Sequence, residues 1–568
     1  MTLNQKYMKK TFKIILFTVI FIILTYSILW FGALFSLSSF INKKYSNTDI
    51  SVGESRQYFV KFSKVKPYGF PFKFGISVIN WQEESINRKI DVVSPINIGY
   101  DLMKQDLFIS FSGEAIGRFK PVERGFGVKF YSNDCILSVK MPLSFKILDI
   151  IKGKRDLFEI INFVENIKFA SGKVEIFDLV DSKKLYEEDH TIFTLGFDKS
   201  KYYTSKQDFL NNIPQELEVN YDTEISLSDI EDRTIPAGLL LYRLAWHNNF
   251  KFSANFLVTT NSSNYKDLDK DLTIKITNAK ISSDGFENNM NLLYQGKSDG
   301  SGNNNSHILI DSHFKINQGF IQNLLDTVKK YHDRLTSIAS VGKIYNYDAA
   351  DDDLLYVINN SQQLDFSLLE NREYDFNLDI NLATESYKLT RGQINNLSLY
   401  SKGSGFSLTN ETIVNILKNS YSKGVIVANN YPKIIDVLGT YIYDFGKFKQ
   451  LSVESKEVYK NGLSAFLKTI SDHPNSSNSI DVSFEYEIDL SDINKAKIGT
   501  IDDINKIIPL YYVSLYRAAV KKVKIGEDPK QRIMELIPDF KEHKKILEEC
   551  ILPGFQEINE NLWQEIIK

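Results

Sequence analysis

Two cysteines, Cys135 and Cys550, stand in 568 residues. They lie far apart, and no C-x-x-C or zinc-type spacing exists, which excludes a cysteine-built metal finger and a dithiol redox motif. Two unpaired small hydrophobes are the expectation, with a pairing in an oxidising compartment left open. Histidine is also scarce. His190, His247, His307, His313, His332, His473 and His543 are scattered, and none forms H-E-x-x-H or a similar metal signature. Gly403-Ser404-Gly405 lacks the spacing of a nucleophile elbow and reads as a flexible turn. Asp267, Asp269 and Asp271 open like a calcium loop, but Leu272 stands where that loop needs glycine. They read as acids beside a strand start. No G-x-G-x-x-G or P-loop is present. No catalytic residue, cofactor or metal ligand is therefore assigned, and an enzyme is not expected. An excess of positive charge is missing too. The net charge of −3 gives no electrostatic case for a nucleic-acid partner.

What the chain does have is a long run without charge. Ile14 to Ile41 is 28 residues of mostly Ile, Leu, Phe, Val, Tyr and Trp. A helix crossing the hydrocarbon core needs about 20 such residues. Lys6, Lys9, Lys10 and Lys13 precede the run, against Lys43 and Lys44 after it. That bias places residues 1–13 in the cytoplasm and the body outside. The apolar core is too long for a cleaved signal, and Ser36-Leu37-Ser38 is a poor cleavage site, so an uncleaved signal anchor over residues 14–41 is expected. Tyr26 and Trp30 read either as belt residues at the far interface or as lipid-facing bulk.

Beyond the anchor, period-two alternation dominates, the mark of strands with one apolar face. Phe70, Phe72, Phe74, Ile76 and Val78 share one phase. So do Leu217 to Leu227, Tyr374 to Leu382 and Val482 to Leu490. Such strands belong to antiparallel sheets with one wet and one dry face. Helical patterns fall near Leu143–Ile167, Ile235–Asn248, Ile321–Leu335, Glu411–Tyr421, Ile434–Phe445, Val458–Ser471, Ile501–Val523 and from Pro529 onward. The expected fold is α+β and mainly β. Long amphipathic antiparallel strands form a curled sheet or groove with interspersed helices.

One block recurs. Val219 to Ile230 reads V-N-Y-D-T-E-I-S-L-S-D-I, and Val482 to Ile493 reads V-S-F-E-Y-E-I-D-L-S-D-I. A helical segment follows each, placing Tyr242-Arg243 opposite Tyr516-Arg517. Two related halves are expected, residues 42–340 and 341–568, with the boundary between Leu335 and Leu364. Arg243 and Arg517 either bind an anionic head group or pair with an acid such as Asp229 or Asp492. The structural role is the one expected.

The most distinctive short stretch is Gly69-Phe70-Pro71-Phe72-Lys73-Phe74-Gly75. Gly69 permits a tight turn, and Pro71 points to an edge strand or bulge. The three Phe side chains share a face that either lines a lipid-holding groove or packs a core. With the Y-S-I-L-W-F-G-A segment from Tyr26, this stretch resembles an alphaproteobacterial envelope family catalogued as domain of unknown function 2125. That family is similar in build to AsmA-like proteins, which are inner-membrane anchored and carry long amphipathic sheets curled into a greasy groove. The resemblance implies a single-pass inner-membrane protein with its body in the periplasm. It would bind or move phospholipid, or maintain the envelope. A scaffold that binds envelope proteins without lipid is the alternative. The resemblance brings no catalytic residues with it.

Overall fold

The computed structural model describes residues 2–51, 58–85, 88–119, 127–142, 157–178, 182, 184–197, 202–211, 216–227, 249–261, 271–283, 285–299, 301–330, 369–386, 388–414, 420–444, 451–471, 480–492, 496–502 and 506–538. The chain divides into two compact units, Met1–Leu268 and Asp269–Lys568.

The first unit opens with α1 (Thr2–Tyr45). No proline interrupts it, and it is long and apolar enough to cross a membrane. Strands β1 (Ile50–Ser51), β2 (Tyr58–Lys61), β3 (Lys64–Tyr68), β4 (Lys73–Ile79), β5 (Trp81–Ser85), β6 (Arg88–Val92) and β7 (Ile96–Asp101) follow. Then come β8 (Asp106–Phe119), β9 (Gly127–Lys140), β10 (Asn166–Ser171), β11 (Val174–Asp178), β12 (Lys184–Phe197), β13 (Glu216–Leu227) and β14 (Asn249–Thr260). A short helix α2 (Lys206–Asn211) lies between β12 and β13. The helix expected over Leu143–Ile167 is, in its described part, a 3-10 segment at Leu157–Phe163 followed by β10.

Several of these strands are halves of longer ones. β2 and β3 run on through Ser63, β4 and β5 through Asn80, β6 and β7 through Ser94, and β10 and β11 through Gly172. Rejoined, they form an antiparallel meander in which each strand pairs with its neighbour in sequence. The breaks line up. β8 shifts register between Phe111 and Gly113, opposite Asn133 and Asp134 of β9, and β12 shifts between Glu188 and His190. The result is a crease across the sheet. An extra residue at each bulge bends the strand and sharpens its twist, and that is how a flat sheet acquires curvature.

Side chains mend the ladder along this crease. Ser63 Oγ donates to the Ile79 carbonyl at 3.0 Å. Ser94 Oγ accepts from the Glu114 N–H at 3.0 Å, and Ser112 Oγ donates to the Asn133 carbonyl. Gly113 has φ +126°, and a Cβ there would sit 1.9 Å from Ser94 Oγ. Only glycine fits.

The polar face of this sheet carries cross-strand ion pairs. Arg118 meets Asp91 at 2.5 Å and Lys129 meets Glu114 at 2.9 Å. Lys173 and Lys184 bracket Glu175 and Glu187, with Lys173–Glu187 at 2.9 Å and Lys184–Glu175 at 3.0 Å. Opposite charges on facing strands add support and keep that face in water.

The second unit repeats the plan. Strands β15 (Asp271–Ser283), β16 (Phe286–Ser298), β17 (Asn304–Ile316), β18 (Arg372–Glu385), β19 (Lys388–Ser401), β20 (Ser404–Ile413), β21 (Tyr421–Asn429), β22 (Val482–Asp489) and β23 (Lys497–Ile498) pair antiparallel in chain order. The boundary expected between the halves near residue 340 falls inside this unit, because β17 and β18 pair across it. The helix expected at Glu411–Tyr421 is, in its described part, the end of β20 and the start of β21, and residues 415–419 lie outside the described residues.

Helix α3 (Phe320–Lys330) is capped from a distance. The buried Glu370 carboxylate accepts from the Gly319 and Ile321 N–H groups at 2.7 and 3.0 Å, placing negative charge at the positive helix end. Helices α4 (Tyr431–Asp444), α5 (Val453–Ile470), α6 (Ile507–Val520) and α7 (Pro529–Leu536) pack on one another, with α4 against β20 and α5 against β22. α5, α6 and α7 enclose Val458, Leu515, Ala519, Leu536 and Ile537. Gly462 lets α5 approach α6 closely, since a Cβ there would lie 2.8 Å from Leu515 Cα. Tyr431 and Ile435 of α4 pack on Val482 of β22.

Candidate functional site

The candidate site is an apolar floor, and it arises from register alone. On the face opposite the ion pairs, β4, β7, β8, β9, β10, β12, β13 and β14 place Ile76, Ile98, Ile109, Leu137, Phe169, Phe193, Tyr221 and Ala254 side by side in one row. The neighbouring row is Phe74, Tyr100, Leu107, Val139, Ile167, Leu195, Val219 and Phe256. These rows are open in part. Tyr100 and Ala254 are buried, and Ile76 and Ile98 pack with Ile41 and Tyr45 of α1 against the cluster of Phe62, Val65 and Val78. Other residues of the rows are not sealed. Phe74 is 39% exposed, Leu107 41%, Ile109 43% and Leu137 38%. Scattered exposed hydrophobes are ordinary, but a contiguous apolar patch built by adjacent strands marks a binding surface.

Towards the crease the row changes to Cys135, Ser171, Thr191 and Thr223. Small side chains occupy the bend. Thr191 and Thr223 hydroxyls share a hydrogen bond at 2.6 Å, and Ser171 Oγ donates to Glu188 Oε1 at 2.6 Å. Burial, with the charges of Glu188 and Asp134, pushes the Cys135 thiol pKa up. Cys135 is a free thiol and Cys550 lies outside the described residues.

The second unit has its own row. Ile276, Leu292, Ile310, Leu378, Leu397, Leu408, Ile426 and Phe484 align across β15 to β22. None of the eight is fully buried. The polar face of β19 to β22 holds an open hollow of about 650 Å³ lined by Arg391, Glu411, Lys423, Glu485 and Lys497 among others.

The distinctive heptapeptide is split between turn and strand. Gly69, Phe70, Pro71 and Phe72 form the β3–β4 turn rather than strand, and the strand begins at Lys73. Phe70 and Phe72 therefore do not share the floor with Phe74. Instead Phe70 packs on the anchor. Its ring stacks on Tyr26 at 6.4 Å and Phe31 at 5.3 Å, and meets Trp30 edge-on at 5.3 Å. Tyr26 Oη donates to the Pro71 carbonyl, and Trp30 Nε1 donates to the Lys73 carbonyl at 3.0 Å. Further along α1, Leu34 and Ser38 are buried, and the Asn42 side chain grips both backbone groups of Val65 at 2.7 and 2.8 Å. Trp30, at 3% exposure, is a docking residue and not lipid-facing bulk. Gly75 allows close strand approach. A Cβ there would lie 2.6 Å from the Ile98 carbonyl oxygen, and Tyr68 and Phe108 meet at 6.2 Å on this polar face.

Arg517 is exposed on α6, and Arg243 lies outside the described residues, so the two are not brought together here. The floor residues of β8, β9, β10 and β12 escaped the sequence reading. Their signal was the short alternations Leu107-Ile109-Phe111 and Cys135-Leu137-Val139. Among the described residues no three His, Cys, Asp or Glu side chains group as metal ligands would.

No family model matches the chain. A search of curated proteins finds uncharacterized protein RP478 of Rickettsia prowazekii (strain Madrid E), 61% identical over 550 residues. The match spans 96% of this chain and 99% of the relative. With that identity over nearly the full length of both, the chain belongs to one family with this Rickettsia protein.

Proposed function

We propose that this is a single-pass, membrane-anchored envelope protein whose sheet holds lipid acyl chains on its apolar face. On this proposal α1 sits in the bacterial inner membrane and the body lies in the periplasm. The role is binding or transport of phospholipid, or maintenance of the envelope, without catalysis. The resemblance to AsmA-like proteins belongs to the same proposal. The observation that carries it is the row from Ile76 to Ala254, eight strands wide and open at Ile109 and Leu137. Each methylene moved from water onto such a surface stabilises by about 0.8 kcal/mol. A few carbons of one acyl chain therefore outweigh thermal energy.

The test is mass spectrometry of organic extracts from the full chain, purified in mild detergent. Phospholipid retained in stoichiometric amount, and absent from a control membrane protein treated alike, is expected. A lipid-free preparation would overturn the lipid-holding role. It would favour the scaffold reading, to which the polar hollow at Arg391, Glu411 and Lys423 lends support.

A further inference from the structure

The register of α1 against the body sets the depth of the β3–β4 turn. At 1.5 Å per residue, a hydrocarbon core of about 30 Å takes about 20 helical residues. The charge-free run extends from Ile14 to Ile41. Every 20-residue window inside it includes residues 22–33. Tyr26, Trp30 and Phe31 all fall in that stretch, and these are the residues that hold Phe70, Pro71 and Lys73. Wherever α1 settles in a bilayer, the turn it carries lies at the level of acyl chains.

The shallowest window, residues 14–33, keeps the exposed Lys64 and Lys66 of β3 outside the core, since their neighbour Val65 is held by Asn42. The turn then reaches about 5–10 Å below the edge of the hydrocarbon, counting from Ala33 down to Trp30 and Tyr26. Its backbone suits that depth. The Pro71 and Lys73 carbonyls are taken by Tyr26 and Trp30, and the Phe72 carbonyl accepts the Leu102 N–H at 2.9 Å. Backbone groups in lipid must find partners in protein. The β7–β8 turn lies alongside, with its N–H groups at Met103 and Lys104 bound by Asp101 Oδ1 at 3.0 and 3.1 Å. Together the two turns expose Phe70, Phe72, Leu102 and Met103. Lys104 and Gln105 are exposed on the second turn too, and a lysine stem lies along lipid while its ammonium reaches up to the head groups.

We infer that these two turns insert into the acyl-chain layer of the leaflet on the body's side of the membrane. Phe74, at the start of β4, opens the floor row directly behind them. The inserted tips thus make the apolar floor continuous with the leaflet. Insertion rests on the anchor half of the function proposed above and not on a lipid cargo.

Depth measured by spin labels tests it. The full chain, with Cys135→Ser and Cys550→Ser, is reconstituted in phosphatidylethanolamine–phosphatidylglycerol vesicles. Nitroxides are placed at Phe72→Cys and, separately, Met103→Cys. These sites are 57% and 74% exposed, so labelling them disturbs no packing. Ile28→Cys serves as the lipid reference and Lys129→Cys, on the polar face, as the water reference. Labels at positions 72 and 103 are expected to collide with oxygen in preference to a water-soluble nickel chelate, as the label at 28 does. Labels at 72 and 103 that behave like the one at 129, with 28 in lipid, would overturn insertion while leaving the anchor intact. A water-exposed label at 28 would overturn the helix register itself.

Discussion

Trp30 and Phe70 meet edge-to-face with ring centroids 5.3 Å apart, 40 positions distant in sequence. The contact ties the anchor to the body. Trp30→Ala removes a buried aromatic and should destabilise the first unit by about 3–5 kcal/mol. Trp30→Phe keeps the ring but leaves the Lys73 carbonyl without its donor, which costs about 1–3 kcal/mol. Thermal unfolding of the full chain in detergent should rank wild type above Trp30→Phe and Trp30→Phe above Trp30→Ala. Equal melting of all three would show that the dock contributes nothing.

The crease depends on Gly113. Gly113→Ala forces a Cβ into Ser94 Oγ at a φ of +126°, and strain of this kind costs about 1–3 kcal/mol. Ser94→Ala leaves only the Glu114 N–H unpaired, a loss of about 1 kcal/mol. In urea, Gly113→Ala should lower the midpoint further than Ser94→Ala does. Shortening Ser94 in a Gly113→Ala background should recover part of the difference.

Floor and core should answer differently to substitution. Leu515 is fully buried between α5 and α6, so Leu515→Ala should cost about 2–5 kcal/mol. Leu137→Gln, on the open floor, should cost less than about 1 kcal/mol while reducing retained phospholipid. A Leu137→Gln penalty as large as that of Leu515→Ala would mean that the floor is a protein core.

The cluster of Lys173, Lys184, Glu175 and Glu187 sets a pH window. Hydrogen bonds from the lysines hold both Glu pKa values low, and the glutamates hold both Lys pKa values high. Depressed carboxylates stabilise fully above their unfolded values, about 4.3, and lose that contribution as pH falls through the lower folded values. Raised lysines contribute fully below about 10.4 and lose it as pH rises through their higher folded values. Glu187→Gln should therefore melt below wild type between about pH 5 and 10, and the gap should close in acid. A gap that widens in acid would contradict the assigned charges.

Alternation in the sequence revealed β13, β18 and β22, because each runs unbroken with a clean phase. The crease was not legible. At Asn80 the apolar phase slips from Phe74, Ile76 and Val78 to Trp81, and a single inserted residue looks like noise until its partners on β3 and β7 are known. Phe70 and Phe72 matched the phase of Phe74 by coincidence, whereas Pro71 and the positive φ of Gly69 turn the chain there. Glu411–Tyr421 read as helical, yet Glu411 and Thr412 extend β20 because β19 and β21 offer ladders on both sides. Tyr26 and Trp30 read as interface-belt or lipid-facing aromatics because nothing local announces a hairpin about 40 residues ahead.

With the body placed outside the cytoplasm, as proposed above, the sequential meander bears on how such a chain is built during export. A strand leaving a narrow secretion channel finds its partner already present as the last strand laid down, so the sheet can lengthen one edge at a time behind the anchor. Little sequence separates most partners, and closing short loops is fast. The longest step is from β17, ending at Ile316, to β18, beginning at Arg372, followed by the step from β21, ending at Asn429, to β22, beginning at Val482. At each the growing edge must wait, unpaired, while the intervening residues emerge. Exposed edges are where chains mispair, which makes these intervals the points in biogenesis most in need of a chaperone.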